Sequence, residues 1–126
     1  VFDAEWQSML QTIKSLVACG ADVAVVADEG SDVLLANPRH RPSLGLAEDQ
    51  WKLFFERLNA VSRELRDNGL SVSFHPHIST FVESPAEIRR VLSNSNVGLT
   101  FDTGHVLLSV LALIKPQCAN ALVSQP

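Results

Sequence analysis

No run of lysine or arginine occurs anywhere in this chain. Ten basic residues face 14 acidic ones, for a net charge of −4. A surface that tracks a phosphate backbone needs the opposite balance, so nucleic acid is not an expected partner. Cysteine is also scarce. Cys19 and Cys118 lie far apart and neither sits in a C-x-x-C pair, which argues for reduced thiols in a cytoplasmic setting. No secretory leader opens the sequence. The longest strongly apolar run, Val106 to Ile114 broken by Ser109, falls well short of the roughly 20 residues that cross a bilayer, so no membrane partner is expected either. A glycine-rich phosphate turn is missing too: the candidate strand ends read D-E-G, H-P-H and D-T-G-H. Nucleotide binding of the open-sheet kind is therefore poorly supported. The first residue is Val1 and not Met, and the chain is expected to be a segment of something longer.

What is present is ordinary material for one domain. The 126 residues are 46% hydrophobic and 19% charged, enough to bury a core. Trp6, Met9, Leu10, Ile13, Leu16 and Val17 recur at spacings of three and four, which predicts a first helix ended by Gly20 in a left-handed cap. A β-type run from Asp22 to Ala27 follows, closed by Asp28-Glu29-Gly30, whose carboxylates read most simply as a solvated turn. Residues 31 to 46 carry Pro38, Pro42, Gly45 and the basic trio Arg39-His40-Arg41 without any period. They predict a long loop whose arginines are candidates for fixing an anionic or hydroxyl-rich substrate.

A long helix comes next. Trp51, Phe54, Phe55, Leu58, Val61 and Leu65 form one apolar stripe, Glu48 and Asp49 suit its N-terminal dipole, and Asn68-Gly69 stops it. Its aromatic residues read as core. Ser84-Pro85-Ala86-Glu87 is a capping box that opens a further helix with Ile88, Val91 and Leu92 as the buried stripe.

Between and after these helices lie the two most informative runs. In Leu70 to His77, Val72 and Phe74 share one face, and Ser73, His75 and His77 the other. In Val97 to Asp102, Val97, Leu99 and Phe101 alternate with Gly98, Thr100 and Asp102. Parallel strands joined by a helix end on the same sheet edge, so His75, His77 and Asp102 are expected to converge there. The alternation of helix and strand predicts an α/β fold with a parallel sheet of about three βα units. An open doubly wound sheet and a closed βα barrel both satisfy it. Polar residues on one strand face, Ser73, His75, Thr100 and Asp102, suit the mouth of a barrel.

The run H-P-H-I-S-T-F-V-E, followed after a helix by G-L-T-F-D-T-G-H, resembles the xylose-isomerase-like TIM-barrel superfamily of sugar isomerases and epimerases, and within it the inosose dehydratase group. The resemblance extends upstream through G-A-D-V-A-V-V-A-D-E-G, the R-P-S-L loop and the helix containing Trp51. It covers about residues 5 to 105 of a single partial (β/α)8 domain, with 106 to 126 as a divergent tail. It implies a divalent metal, manganese or cobalt with magnesium or zinc as the other candidates, held by carboxylates and a histidine at the barrel mouth. Asp102 matches a metal ligand, His105 a substrate contact, and Glu83 the acidic position closing the H-P-H motif, a second ligand. Many members bring that carboxylate at the strand end where this chain has His75, so His75 and His77 are expected as ligands or substrate contacts.

The chemistry that such a site implies starts with a metal that polarises a sugar carbonyl and hydroxyl. Glu83 or His105 takes the acidified C–H proton, and the enediolate either isomerises or expels a hydroxyl. The resemblance also implies later strands carrying a further histidine and glutamate, which the tail after His105 does not supply. A barrel of about 250 residues would make this chain roughly half of one. Metal is then expected to be weakly held, and self-association is expected through open sheet edges and an inner face that includes Thr100 and Val26. Three readings follow: part of a metal-dependent isomerase or inosose dehydratase acting on a small sugar or inosose, a non-catalytic remnant that self-associates, and the DNA-repair endonuclease branch of the same superfamily. The acidic charge and the scarcity of histidine disfavour the last.

Overall fold

A computed structural model describes residues 2–36 and 45–105. Its elements run α1 (Phe2–Ala18), β1 (Val23–Val26), α2 (Asp32–Ala36), α3 (Glu48–Asp67), β2 (Ser71–Phe74), α4 (Pro85–Asn94) and β3 (Gly98–Leu99). The strands form one parallel sheet in the order β1-β2-β3, with Val26 opposite Phe74 and Phe74 opposite Leu99. The expected parallel α/β architecture is therefore present, with shorter strands than the alternation suggested. The ladder continues past the strand ends, since the His75 amide donates to the Val26 carbonyl and the Thr100 amide to the Phe74 carbonyl, both at 2.8 Å.

The helix boundaries follow from local chemistry. Gly20 and Gly69 adopt left-handed φ values of 75° and 84°, the conformation in which glycine escapes a Cβ penalty, so α1 and α3 stop there. At the start of α4 the Ser84 amide donates to Glu87 Oε2 (2.8 Å) and the Glu87 amide to Ser84 Oγ (3.4 Å), the reciprocal capping box its sequence predicts. The stretch read as an unbroken loop contains α2. Ser31 Oγ accepts the Leu34 amide and Leu34 is buried, so one turn is nucleated by a cap and a single apolar anchor, too short to show a period. The basic trio lies outside the described residues, as does the apolar run after His105.

Two contiguous cores cover one face of the sheet. Ile13 of α1 and Leu65 of α3 pack with Ala24, Leu70 and Val72. Trp51 and Leu58 of α3 and Val91 of α4 pack with Phe74 and Val82. Each large apolar side chain buried this way contributes about 1.5–3 kcal/mol. The α3 stripe is as its sequence predicts, and Phe54 meets Phe74 edge to face at 6.1 Å. Leu92 and Val17, expected in buried stripes, are exposed because they sit at the flanks of their helices' contact faces.

Val26 corrects another expectation. It packs into both cores on the helix side. The opposite face of β1 is taken by Val23 and Val25, which are 50% and 58% exposed. An all-apolar V-A-V-V strand offers no polar alternation to tell its two faces apart.

Candidate functional site

The C-terminal edge of the sheet collects the residues that the two strand motifs set apart in sequence. β2 and β3 lie side by side, and the Ser73 and Thr100 hydroxyls, 2.6 Å apart, tie their polar faces together just below the edge. Beyond them the chain delivers three imidazoles. Ring centroids are 5.7 Å apart for His75 and His77, 5.2 Å for His75 and His105, and 4.1 Å for His77 and His105. One potential ligand atom from each lies within 4.8 Å of the other two.

The individual environments differ. His77 is exposed and its Nδ1 lies 2.9 Å from the Ile78 carbonyl. A carbonyl only accepts, so this contact places the proton on Nδ1 and leaves the Nε2 lone pair outward. The Nδ1 atoms of His75 and His105 are buried without a hydrogen-bond partner. Asp102 Oδ1 accepts the backbone amides of Gly104 (2.8 Å) and His105 (3.0 Å), which leaves Oδ2 facing His105 Nδ1 at 3.6 Å. The amide of His105 above all, then the charge of its imidazole, the Gly104 amide and His75 hold the Asp102 carboxyl below the usual carboxylate range, against a smaller opposing effect of desolvation.

Glu83 makes a different contact. Its Oε2 accepts the Ser79 amide at 2.9 Å, and among the described residues it is not in the imidazole cluster. Ser79 has a φ of 63°, a strained value for a residue with a side chain, so the Glu83 carboxylate fastens the tightest point of the loop that follows His77. Buried Thr80 adds a bond from Oγ1 to the His77 carbonyl at 2.7 Å.

A residue that the sequence reading left in a solvated turn turns out to hold this loop as well. Asp28 Oδ1 accepts the amides of Gly30 (3.0 Å) and Phe81 (2.8 Å), and Oδ2 accepts that of Val82 (3.2 Å). The D-x-G pattern announces the local bond, but its partners 53 and 54 residues on carry no local signal. Beside the imidazoles, a depression of about 530 Å³ is lined by Glu29, Ser31, Asp32, His77 and Ser79 among others. That is the size of a small-molecule site. Among the described residues no helix is long and apolar enough to cross a membrane.

The family profile described as "Xylose isomerase-like TIM barrel" matches residues 2–114. The chain belongs to this family. Its sheet of parallel strands covered by helices is part of such a barrel, and the polar strand edge is the mouth where barrel enzymes keep their sites. Among curated proteins it is similar to inosose dehydratase of Clostridium beijerinckii, 34% identical over 95 residues that cover 71% of this chain and 32% of that protein. It is likewise 34% identical to inosose dehydratase of Lacticaseibacillus casei over 99 residues, 75% of this chain and 33% of the relative. The rhizopine catabolism protein MocC of Rhizobium meliloti is 30% identical over 112 residues, 85% of this chain and 34% of its own length. The chain thus spans about a third of the length of these relatives, less than the half that barrel size alone suggested.

Proposed function

We propose that the edge formed by β2 and β3 is a divalent-metal-dependent site acting on a polyhydroxylated ketone or ketose, of the inosose dehydratase or sugar isomerase kind. The observation that carries this reading is the meeting of His75, His77, His105 and Asp102 at one strand edge. Likeness to proteins named inosose dehydratase supports the substrate class. These residues fit a metal ion: the buried Nδ1 atoms of His75 and His105 have no hydrogen-bond partner, and a carboxylate oxygen of Asp102 stands 3.6 Å from that of His105. When bound, the ion, manganese or cobalt by resemblance, supplies polarisation of a carbonyl and its neighbouring hydroxyl.

The chain's own residues do the rest. Asp102 keeps Oδ2 available because Oδ1 is held by two backbone amides. Either Glu83, on the loop that follows His77, or His105 carries the proton taken from carbon, and the imidazoles border the substrate. The depression beside His77 receives the sugar, whose hydroxyls find acceptors in Glu29 and Asp32. Dehydration then expels a neighbouring hydroxyl, whereas isomerisation returns the proton elsewhere. The test is metal-dependent turnover of an inosose or ketose by the purified chain. Turnover abolished by Asp102→Ala supports the reading, and failure to bind either metal or sugar overturns it.

A second copy of the chain is the proposed macromolecular partner. Within the described sheet β1 and β3 each pair on one side only, and Val23 and Val25 leave an apolar patch on the uncovered face.

A further inference from the structure

We infer that Thr80 is a positioning residue for His77: its hydroxyl holds the His77 carbonyl and thereby keeps the ring in the one tautomer that leaves Nε2 as an acceptor. What that nitrogen meets rests on the reading above, whereas the hold on the ring does not. Thr80 is 5% exposed, so its hydroxyl has to find a partner inside the chain. It carries one proton and has two carbonyls in reach. That of His77 lies at 2.7 Å and that of Val82 at 3.3 Å, and the shorter contact takes the proton.

The route from hydroxyl to ring runs through two consecutive peptide planes. The His77 carbonyl belongs to the plane that joins His77 to Ile78, and Thr80 fixes it. The next plane carries the Ile78 carbonyl on one side and the Ser79 amide on the other. Its amide donates to Glu83 Oε2 at 2.9 Å, and its carbonyl lies 2.9 Å from His77 Nδ1. A trans peptide points its N–H and C=O in opposite directions, so a turn of either plane swings the accepting carbonyl away from the ring. The need for such a hold is visible at Ser79, whose φ of 63° persists only where the surroundings over-determine it. A neutral imidazole can carry its proton on either nitrogen, and here the Ile78 carbonyl decides. His77 and Thr80 also line the same depression, so the acceptor nitrogen stands where the hydroxyls of a polyol would arrive.

The experiment is imidazole nitrogen NMR of the isotope-labelled full chain at mildly alkaline pH, without metal or sugar, with the His77 signals assigned by their loss in His77→Ala. The unaltered chain should show the Nδ1-protonated pattern, and Thr80→Ser, which keeps the hydroxyl, should retain it. Thr80→Val keeps the shape and removes the donor, so both nitrogens should shift to the averaged positions of a ring that exchanges between tautomers. A Thr80→Val chain that is less stable but keeps the Nδ1-protonated pattern overturns the inference, because Thr80 then holds only the loop. The unaltered chain decides the matter even if that variant misfolds: a bonded, buried Thr80 hydroxyl proton exchanges slowly enough to be observed, and one merged with the water signal overturns the inference. Addition of an inosose should then move the Nε2 signal and bind roughly tenfold more weakly to Thr80→Val than to Thr80→Ser. Inosose binding that leaves Nε2 unmoved overturns the acceptor role. Failure of inosose to bind counts against the functional reading above, while the tautomer result stands apart from it.

Discussion

Asp28, at the end of β1, accepts the backbone amide of Phe81 at 2.8 Å, and so the first strand anchors the loop that carries the second strand's histidines. The same carboxylate takes the amides of Val82 and Gly30, and Val82 is fully buried. Asp28→Ala strands these donors, and each unsatisfied buried amide costs about 1–3 kcal/mol. The expected loss is about 2–4 kcal/mol in equilibrium urea unfolding. Asp28→Asn should recover only part of it, because an amide nitrogen in place of either carboxylate oxygen faces an N–H donor. Full stability in both variants would show that the tie is dispensable.

Gly30 is the companion of that tie. Its φ is 66°, and a Cβ there would lie 2.5 Å from the Ser79 carbonyl oxygen and 2.8 Å from Thr80 Cα. Both obstacles are backbone, in a segment already strained at Ser79, so the clash cannot be relieved by turning a side chain. Gly30→Ala should destabilise by about 2 kcal/mol or more. It should also disturb the His77 imidazole resonances, whereas Gly20→Ala, with open space around its Cβ, should change stability through its φ alone.

These two residues show where the sequence could be read and where it could not. The capping box of α4, the Asn68-Gly69 stop and the aromatic stripe of α3 are local signals, and each has its expected counterpart in the structure. The convergence of His75 and Asp102 was legible because parallel strands joined by a helix share an edge, and alternation assigns the face. Asp28 was not legible, since its partners depend on how β1 and β2 align. Nor was the orientation of Val26, because four apolar residues in a row do not say which face meets the helices. The bond between Glu83 and the Ser79 amide depends on the loop's turn at Ser79, a left-handed residue that no residue type announces.

Away from the site, Arg90 joins α4 to the start of α3. Its Nη1 donates to Glu48 Oε1 at 2.9 Å, and its guanidinium lies 4.7 Å from the Trp51 ring centre. The hydrogen bond from Arg90 first, and its charge next, hold the Glu48 carboxyl below its ordinary value. A carboxyl lowered on folding contributes stability that is present above its unfolded pKa of about 4.3 and is lost as pH falls through the lower folded value. An NMR titration should therefore find Glu48 titrating below free glutamate. Arg90→Gln should return it toward that value and remove the pair's small contribution at neutral pH. An unchanged Glu48 titration in Arg90→Gln would exclude this cause.

The uncovered sheet face makes the last prediction. Among the described residues, Val23 and Val25 project from β1 on the side away from the helices and are 50% and 58% exposed. Apolar residues on a flat strand face, beside outer strands with unpaired backbone groups, favour pairing with another sheet, and the supply most readily at hand is a second copy of the chain. Sedimentation at micromolar concentration should accordingly show dimers or larger species. Val23→Thr combined with Val25→Lys should shift them toward monomer, because the lysine places a charge where two faces would meet and the threonine keeps a β-branched shape. The helix-side core is untouched by these changes, so the double variant should retain its helical circular dichroism. A wild-type chain that sediments as a monomer across the accessible concentration range would show that the face is tolerated in water without a partner.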